Sequence, residues 1–260
     1  MLKLASRVIL LTFLFFSSEG RGQTTIANGH VDIFGVGYVA EDPGAFDFEF
    51  LIHDEDSGAE LEPSSTVLQI NATGLQSVPT APEFSFLGTP GSSVYILPKF
   101  EEEADSSGVI FAGVGTEEIL PADWGLGGSA IAIELTGVLS VPLGGKFVLW
   151  DEDIFGDPTP LINSSDLTNY PSITVPIDNH SHYYWGFTEP GSYELAFAAS
   201  GTPAGGSLQS ATQTYTFQVV PEPSTFALLG LGALALATLG LRRSSAQRRL
   251  PKNAVPSLQI

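Results

Sequence analysis

The chain has 260 residues, with 10 Lys and Arg, 29 Asp and Glu, and no cysteine. Between residues 24 and 220 only Lys99 and Lys146 stand against 27 acidic residues, a formal charge of −25 for that stretch. Such a surface excludes nucleic acid as a partner, because phosphate binding rests on Lys and Arg, and the lack of cysteine excludes disulfide bracing.

The N-terminus reads as a secretory signal over residues 1–23. Lys3 and Arg7 supply a basic start, Val8 to Phe16 is an apolar run broken only by Thr12, and Ser17, Ser18 and Gly20 follow as small residues. This pattern is that of a cleaved signal helix, since the apolar run is too short to span a bilayer.

Residues 24–219 read as one all-β domain, a β-sandwich. Ten short segments carry the period-two pattern of strands: Val31–Val39, Phe46–Ile52, Thr66–Ile70, Val94–Leu97, Ile110–Gly113, Ala130–Val138, Lys146–Trp150, Tyr183–Phe187, Tyr193–Ser200 and Thr212–Val219. Phe46-Asp47-Phe48-Glu49-Phe50 alternates cleanly, which buries one face and wets the other. Gly, Pro, Asn and Asp punctuate the segments, and Gly201 to Gly206 predicts the loop before the last strand. Three acidic runs lie between strands: Asp54-Glu55-Asp56, Glu101 to Asp105, and Asp151-Glu152-Asp153. The second is expected as a solvated loop. None has the spacing of a helix-loop-helix calcium loop, so calcium is the weaker expectation for a bound ion.

The four histidines are His30, His53, His180 and His182. In His180-Ser181-His182 two imidazoles are two apart, and on a strand residues i and i+2 share a face. His30-Val31-Asp32 offers an imidazole and a carboxylate with the same spacing, and His53 follows the strand that begins at Phe46. Neutral imidazole with oxygen ligands suits zinc and related metals. The candidate metal ligands are therefore His30, Asp32, His53, His180 and His182. The same alternation predicts that Trp185 and Phe187 point away from His180, His182 and Tyr184, into the core.

At the C-terminus Pro221-Glu222-Pro223 precedes an apolar segment, Phe226 to Leu241, and Arg242 and Arg243 follow it. With Ser224 and Thr225 the segment is long enough for a transmembrane helix. The arginines hold its far end in the cytoplasm, with residues 244–260 as a cytoplasmic tail. Residues 220–243 resemble the PEP-CTERM sorting signal of Gram-negative and related bacteria. That resemblance implies recognition at Pro221, Glu222 and Pro223 by an exosortase, and delivery to the cell surface or extracellular matrix.

A second resemblance covers most of residues 28–220. Gly29-His30-Val31-Asp32-Ile33, Phe86-Leu87-Gly88, Val94-Tyr95-Ile96-Leu97-Pro98, Gly115-Thr116-Glu117-Glu118, His180-x-His182 and Trp185-x-Phe187-Thr188-x-Pro190-Gly191-x-Tyr193 together resemble the choice-of-anchor M domain. This implies extracytoplasmic metal handling, with a metal ABC transporter as a partner, and it matches His30, Asp32, His180 and His182 to that family's histidine motifs. No nucleophile elbow, P-loop or Rossmann glycine pattern occurs, so an enzyme is not expected. Two functions stay open: an anchored module that binds a divalent transition metal, and a structural or adhesive matrix protein associated with extracellular polysaccharide.

Overall fold

The computed structural model describes residues 23–42 and 45–221. The predicted signal helix, transmembrane helix, basic stop at Arg242 and Arg243, and cytoplasmic tail lie outside the described residues, as do Glu222 and Pro223 of the sorting signal. Among the described residues no helix is long and apolar enough to cross a membrane. A compact unit ends at Val219.

In chain order the strands begin with β1 (Thr24–Ile26), β2 (Gly29–Asp42), β3 (Ala45–Asp54), β4 (Ala59–Leu61), β5 (Thr66–Ile70) and β6 (Leu75–Ser77). Next come β7 (Ser93–Leu97), helix α1 (Glu101–Ser107), β8 (Ile110–Gly115), the short helix α2 (Pro121–Trp124), β9 (Ile131–Ser140) and β10 (Phe147–Glu152). The series closes with β11 (Pro158–Asn163), β12 (Ser172–Val175), β13 (His180–His182), β14 (Tyr184–Phe187), β15 (Gly191–Gly201) and β16 (Gln209–Val219).

The all-β expectation holds, but the layering is three sheets rather than the two of a simple sandwich. Their orders are β1-β5-β16-β15-β9-β12, β11-β10-β14-β7-β6 and β13-β8-β2-β3-β4. Inward residues of all three meet in one aromatic core. Phe34 sits at its centre, with ring centroids 5.0 Å from Trp185, 4.7 Å from Phe197 and 5.3 Å from Tyr215, so one side chain touches every sheet. With no disulfide available, burial of these rings is the main source of cohesion.

Two sequence expectations need correction. Glu101 to Asp105 is not a loop but the start of α1. Three glutamates in its first turn favour the positive end of the helix dipole, and Gly108 ends it in the left-handed conformation at φ 63°. The single strand expected at Tyr183–Phe187 is also wrong at its start. The chain changes sheet at Tyr183: His180 to His182 form β13 in one sheet, and Tyr184 to Phe187 form β14 in another. Trp185 and Phe187 are fully buried, as alternation predicted, whereas Tyr184 stacks on Trp150 at 5.1 Å and does not share a surface with the imidazoles.

The third sheet carries the candidate site. Its β2 has a register shift between Asp32 and Gly35 against β3. Val31 and Ile33 point inward before this bulge, and Phe34 and Val36 point inward after it, all essentially inaccessible. The extra residue of a bulge changes which residues face out, so His30 and Asp32 face outward before it, and Gly35 and Gly37 after it. On the neighbouring β8, Ile110, Ala112 and Val114 are buried in the core, which leaves Phe111, Gly113 and Gly115 for the outer face.

Candidate metal centre

His30 and Asp32 come from β2, and His180 and His182 from β13, with β8 between them. The register pairs His30 with Phe111 and Asp32 with Gly113 on one side of β8. On the other it pairs His180 with Gly115 and His182 with Gly113. Imidazoles 150 residues apart in sequence thus meet over a single strand. Their ring centroids lie 5.0 Å apart for His30 and His180, 5.1 Å for His30 and His182, and 4.8 Å for His180 and His182. Nitrogens of all three rings lie within 4.8 Å of one another. Phe111 supports them from below, stacked on His182 at 3.8 Å and 4.8 Å from His30.

Each of the two β13 histidines has its Nδ1 held by an oxygen. His182 Nδ1–H donates to the Ala112 carbonyl at 3.0 Å, and His180 Nδ1–H donates to Glu117 Oε1 at 2.5 Å. A carbonyl can only accept, so the tautomer of neutral His182 is fixed with its Nε2 lone pair free. Metal-binding histidines are oriented in this way, by an oxygen on the second ring nitrogen. The Nε2 atoms of His30 and His180 face each other at 3.1 Å. Tetrahedral zinc with Zn–N bonds of about 2.0–2.1 Å places its nitrogens about 3.3–3.4 Å apart.

Asp32 lies beneath the rings and is 1 % exposed. Its Oδ1 has no hydrogen-bond donor, although His180 Nε2 stands 3.2 Å away, outside hydrogen-bonding alignment. The buried oxygen thus has a charged neighbour without an aligned hydrogen bond and is only partly satisfied. The space that it occupies exists because β8 has glycine at two alternate positions. A Cβ at Gly113 would lie 1.8 Å from Asp32 Oδ1, and one at Gly115 would lie 2.1 Å from Asp32 Oδ2.

The electrostatics of the two β13 rings diverge. Asp32 beside it, and then Glu117, push His180 up to about 9 against the opposing effect of burial, so the metal-free ring is an imidazolium between carboxylates. Burial pulls His182 down to about 4, helped by the neighbouring His180 and His30, which keeps its Nε2 unprotonated at neutral pH.

Of the five candidates, His30, His180 and His182 form one group, and Asp32 adjoins it through His180, in a second group with Glu55. His53 is not part of this group. It lies one strand further on, opposite Asp32 in register, with Nδ1 3.3 Å from Glu55 Oε1. Glu55 does approach the group, since one of its oxygens lies within 4.8 Å of ligand atoms of Asp32 and His180. Sequence reasoning missed Glu55 and Glu117 as site residues because both leave their strands at turns, where alternation says nothing of direction. The available signal was glycine inside strands, Gly113-Val114-Gly115 and Gly35-Val36-Gly37, which marks close approach of another group. The acids of β10 and the turn after it have local structural tasks instead. Asp151 pairs with Lys99 at 2.5 Å, Glu152 accepts from the Trp150 indole at 3.0 Å, and Asp153 Oδ1 caps its turn by accepting from the Phe155 and Asp157 amides.

Comparison with known families finds the PEP-CTERM protein-sorting motif at residues 219–244. The chain carries a PEP-CTERM sorting signal. The signal implies an exported protein that is sorted to the cell surface and processed by an exosortase. No curated protein matches the chain.

Proposed function

We propose that this exported protein binds a divalent transition metal outside the cytoplasm, zinc by its donor set, through His30, His180, His182 and Asp32. One observation carries the reading: a buried carboxylate with no aligned hydrogen bond at Oδ1 lies 3.2 Å from His180 Nε2, and His180 clusters with His30 and His182, two of the three rings having Nδ1 engaged by oxygen acceptors. A cation would replace the proton on His180 Nε2, bind Asp32 Oδ1 in its stead and accept the His182 Nε2 lone pair. Three nitrogens and one oxygen complete a tetrahedral zinc shell. The resemblance to the choice-of-anchor M domain points the same way, and a metal ABC transporter is the partner that such a module would supply. The protein is read as a binding module and not as an enzyme, held at the membrane by its C-terminal segment. His53 lies outside the shell, and calcium is disfavoured in a shell led by nitrogen ligands.

The test is metal content of the full chain, purified metal-free and then exposed to Zn²⁺. One tightly held equivalent is expected, and it is lost in the His180→Ala/His182→Ala variant. Equal zinc content in wild type and variant would sink the proposal, leaving a structural or adhesive role in the polysaccharide matrix as the reading of a surface-sorted acidic domain.

A further inference from the structure

Beyond the bulge of β2, on the far side of Asp32 from the histidine cluster, the outer face of the sheet has a small pocket of about 20 Å³. Its polar lining is Asp32, His53, Glu49, Glu60, Glu117 and Glu118. The floor is glycine once more: a Cβ at Gly37 would lie 3.0 Å from Glu118 Oε2 and 3.6 Å from Glu49 Oε2. Strand pairing sets the remaining walls. Gly37 is opposite Glu49, and His53 is opposite both Asp32 and Glu60. One carboxylate oxygen from each of Glu49, Glu60 and Glu118 lies within 4.8 Å of the others.

No protein cation lines this pocket. The only two cationic side chains between residues 24 and 220 are engaged elsewhere, Lys99 by Asp151 and Lys146 by the Phe86 carbonyl. Five carboxylates therefore surround one concavity with a single imidazole among them. The fifth is the deeply buried Asp32, which has no aligned hydrogen bond at Oδ1 and is met there by His180 Nε2 at 3.2 Å. Its two oxygens are splayed along the trough, Oδ1 toward Gly113 and His180 and Oδ2 toward Gly115 and Glu117.

We infer that this pocket is a second cation position, for a hard divalent ion of the manganese, magnesium or calcium class, held by Glu49, Glu60, Glu118 and His53 and sharing Asp32 with the histidine site. The inference rests on the metal-binding reading of that site. Oxygen-rich surroundings select hard cations, and imidazole-rich ones select zinc and its neighbours. The two ends of the trough thus differ in the class of ion that they prefer. A shared carboxylate makes the two positions dependent on each other. With the first ion in place, Oδ1 is committed and the carboxylate is fixed in orientation, so Oδ2 is presented to the second.

The experiment loads the full chain, purified metal-free, with one equivalent of Zn²⁺ and titrates Mn²⁺ while the electron paramagnetic resonance signal of free Mn²⁺ is recorded. Wild type is expected to remove one equivalent of Mn²⁺ from solution. Glu60→Gln/Glu118→Gln, which keeps shape and removes charge at two exposed positions, is expected to keep its zinc and bind Mn²⁺ at least about tenfold more weakly. His180→Ala/His182→Ala loses the zinc. If zinc-loaded wild type binds no Mn²⁺, or if the double Gln variant binds it as wild type does, the second position is overturned and the zinc site stands. If the double Gln variant loses both metals, there is one site and the inference also fails. If wild type takes up no zinc, it is the underlying reading that fails. Mn²⁺ is then titrated on the zinc-free chain, where uptake abolished by the Gln pair keeps the carboxylate position and no uptake removes it.

Discussion

Gly113→Ala tests the geometry of the site without touching any proposed ligand. The new Cβ would lie 1.8 Å from Asp32 Oδ1 and 3.1 Å from His180 Nε2, where real contacts of a Cβ almost never fall below 3.0 Å. The carboxylate must therefore retreat by about 1.2 Å, six times the distance tolerance of about 0.2 Å expected of a metal site. It cannot pivot freely, because the Gly115 backbone bounds its other oxygen. Overpacking of this kind costs about 1–3 kcal/mol of stability. Chemical denaturation of the metal-free chain should show that loss, and zinc affinity by competition with a chelating dye should fall by at least about a hundredfold, beyond the usual effect of a misplaced supporting residue. The double variant Gly113→Ala/Asp32→Ala separates the two consequences. Removing the carboxylate relieves the collision, so part of the stability returns, whereas affinity stays low because the oxygen ligand is gone. Wild-type stability and wild-type zinc affinity in Gly113→Ala would refute the view that β8 glycines shape a cradle for Asp32.

Two further outcomes follow from the same geometry. Glu117→Ala removes the acceptor that orients His180 Nδ1 and should lower zinc affinity by about 10–100-fold, while Glu117→Gln, which can still accept, falls between it and wild type in the same competition assay. In the metal-free chain, imidazole NMR titration should find His180 near 9 and His182 near 4. The two stability effects have opposite signs. The raised His180 contributes stability that is complete below 6.5 and is lost as pH rises through 9. The depressed His182 makes the unfolded chain bind the extra proton, so stability is lost as pH falls from 6.5 toward 4. Denaturation midpoints against pH should therefore peak near 6.5 in the metal-free protein, and a monotonic curve across that range would contradict the assignment.

Much of the strand content was legible because amphipathic alternation is a local signal. All ten segments read from the sequence overlap strands, with Tyr183, Ala130 and Lys146 just outside them. The strands that escaped notice are short or carry proline, as β1, β4, β6 and β11 do, and there pairing partners rather than local pattern decide conformation. The pairs His30/Asp32 and His180/His182 could be read from spacing, but their meeting depends on β2 and β13 flanking the same strand β8, which no local rule specifies. His53 was drawn into the same site by its residue type, and the register places it on the other side of Asp32. The change of sheet at Tyr183 was invisible because alternation continues across it: Trp185 and Phe187 are buried as a straight strand would require, although the backbone has turned to a new partner.

That change of partner makes the mechanical character of the trough uneven. The strand bearing His180 and His182 continues within three residues into Trp185, which is locked among Phe34, Phe147 and Phe217. The nitrogen donors are thus anchored to the stiffest part of the molecule. Glu55, Glu117 and Glu118 lie on turns at the exposed rim. An arriving ion would meet solvent-facing oxygens first and core-anchored nitrogens last, so capture begins at the rim and retention is set by the anchored strand.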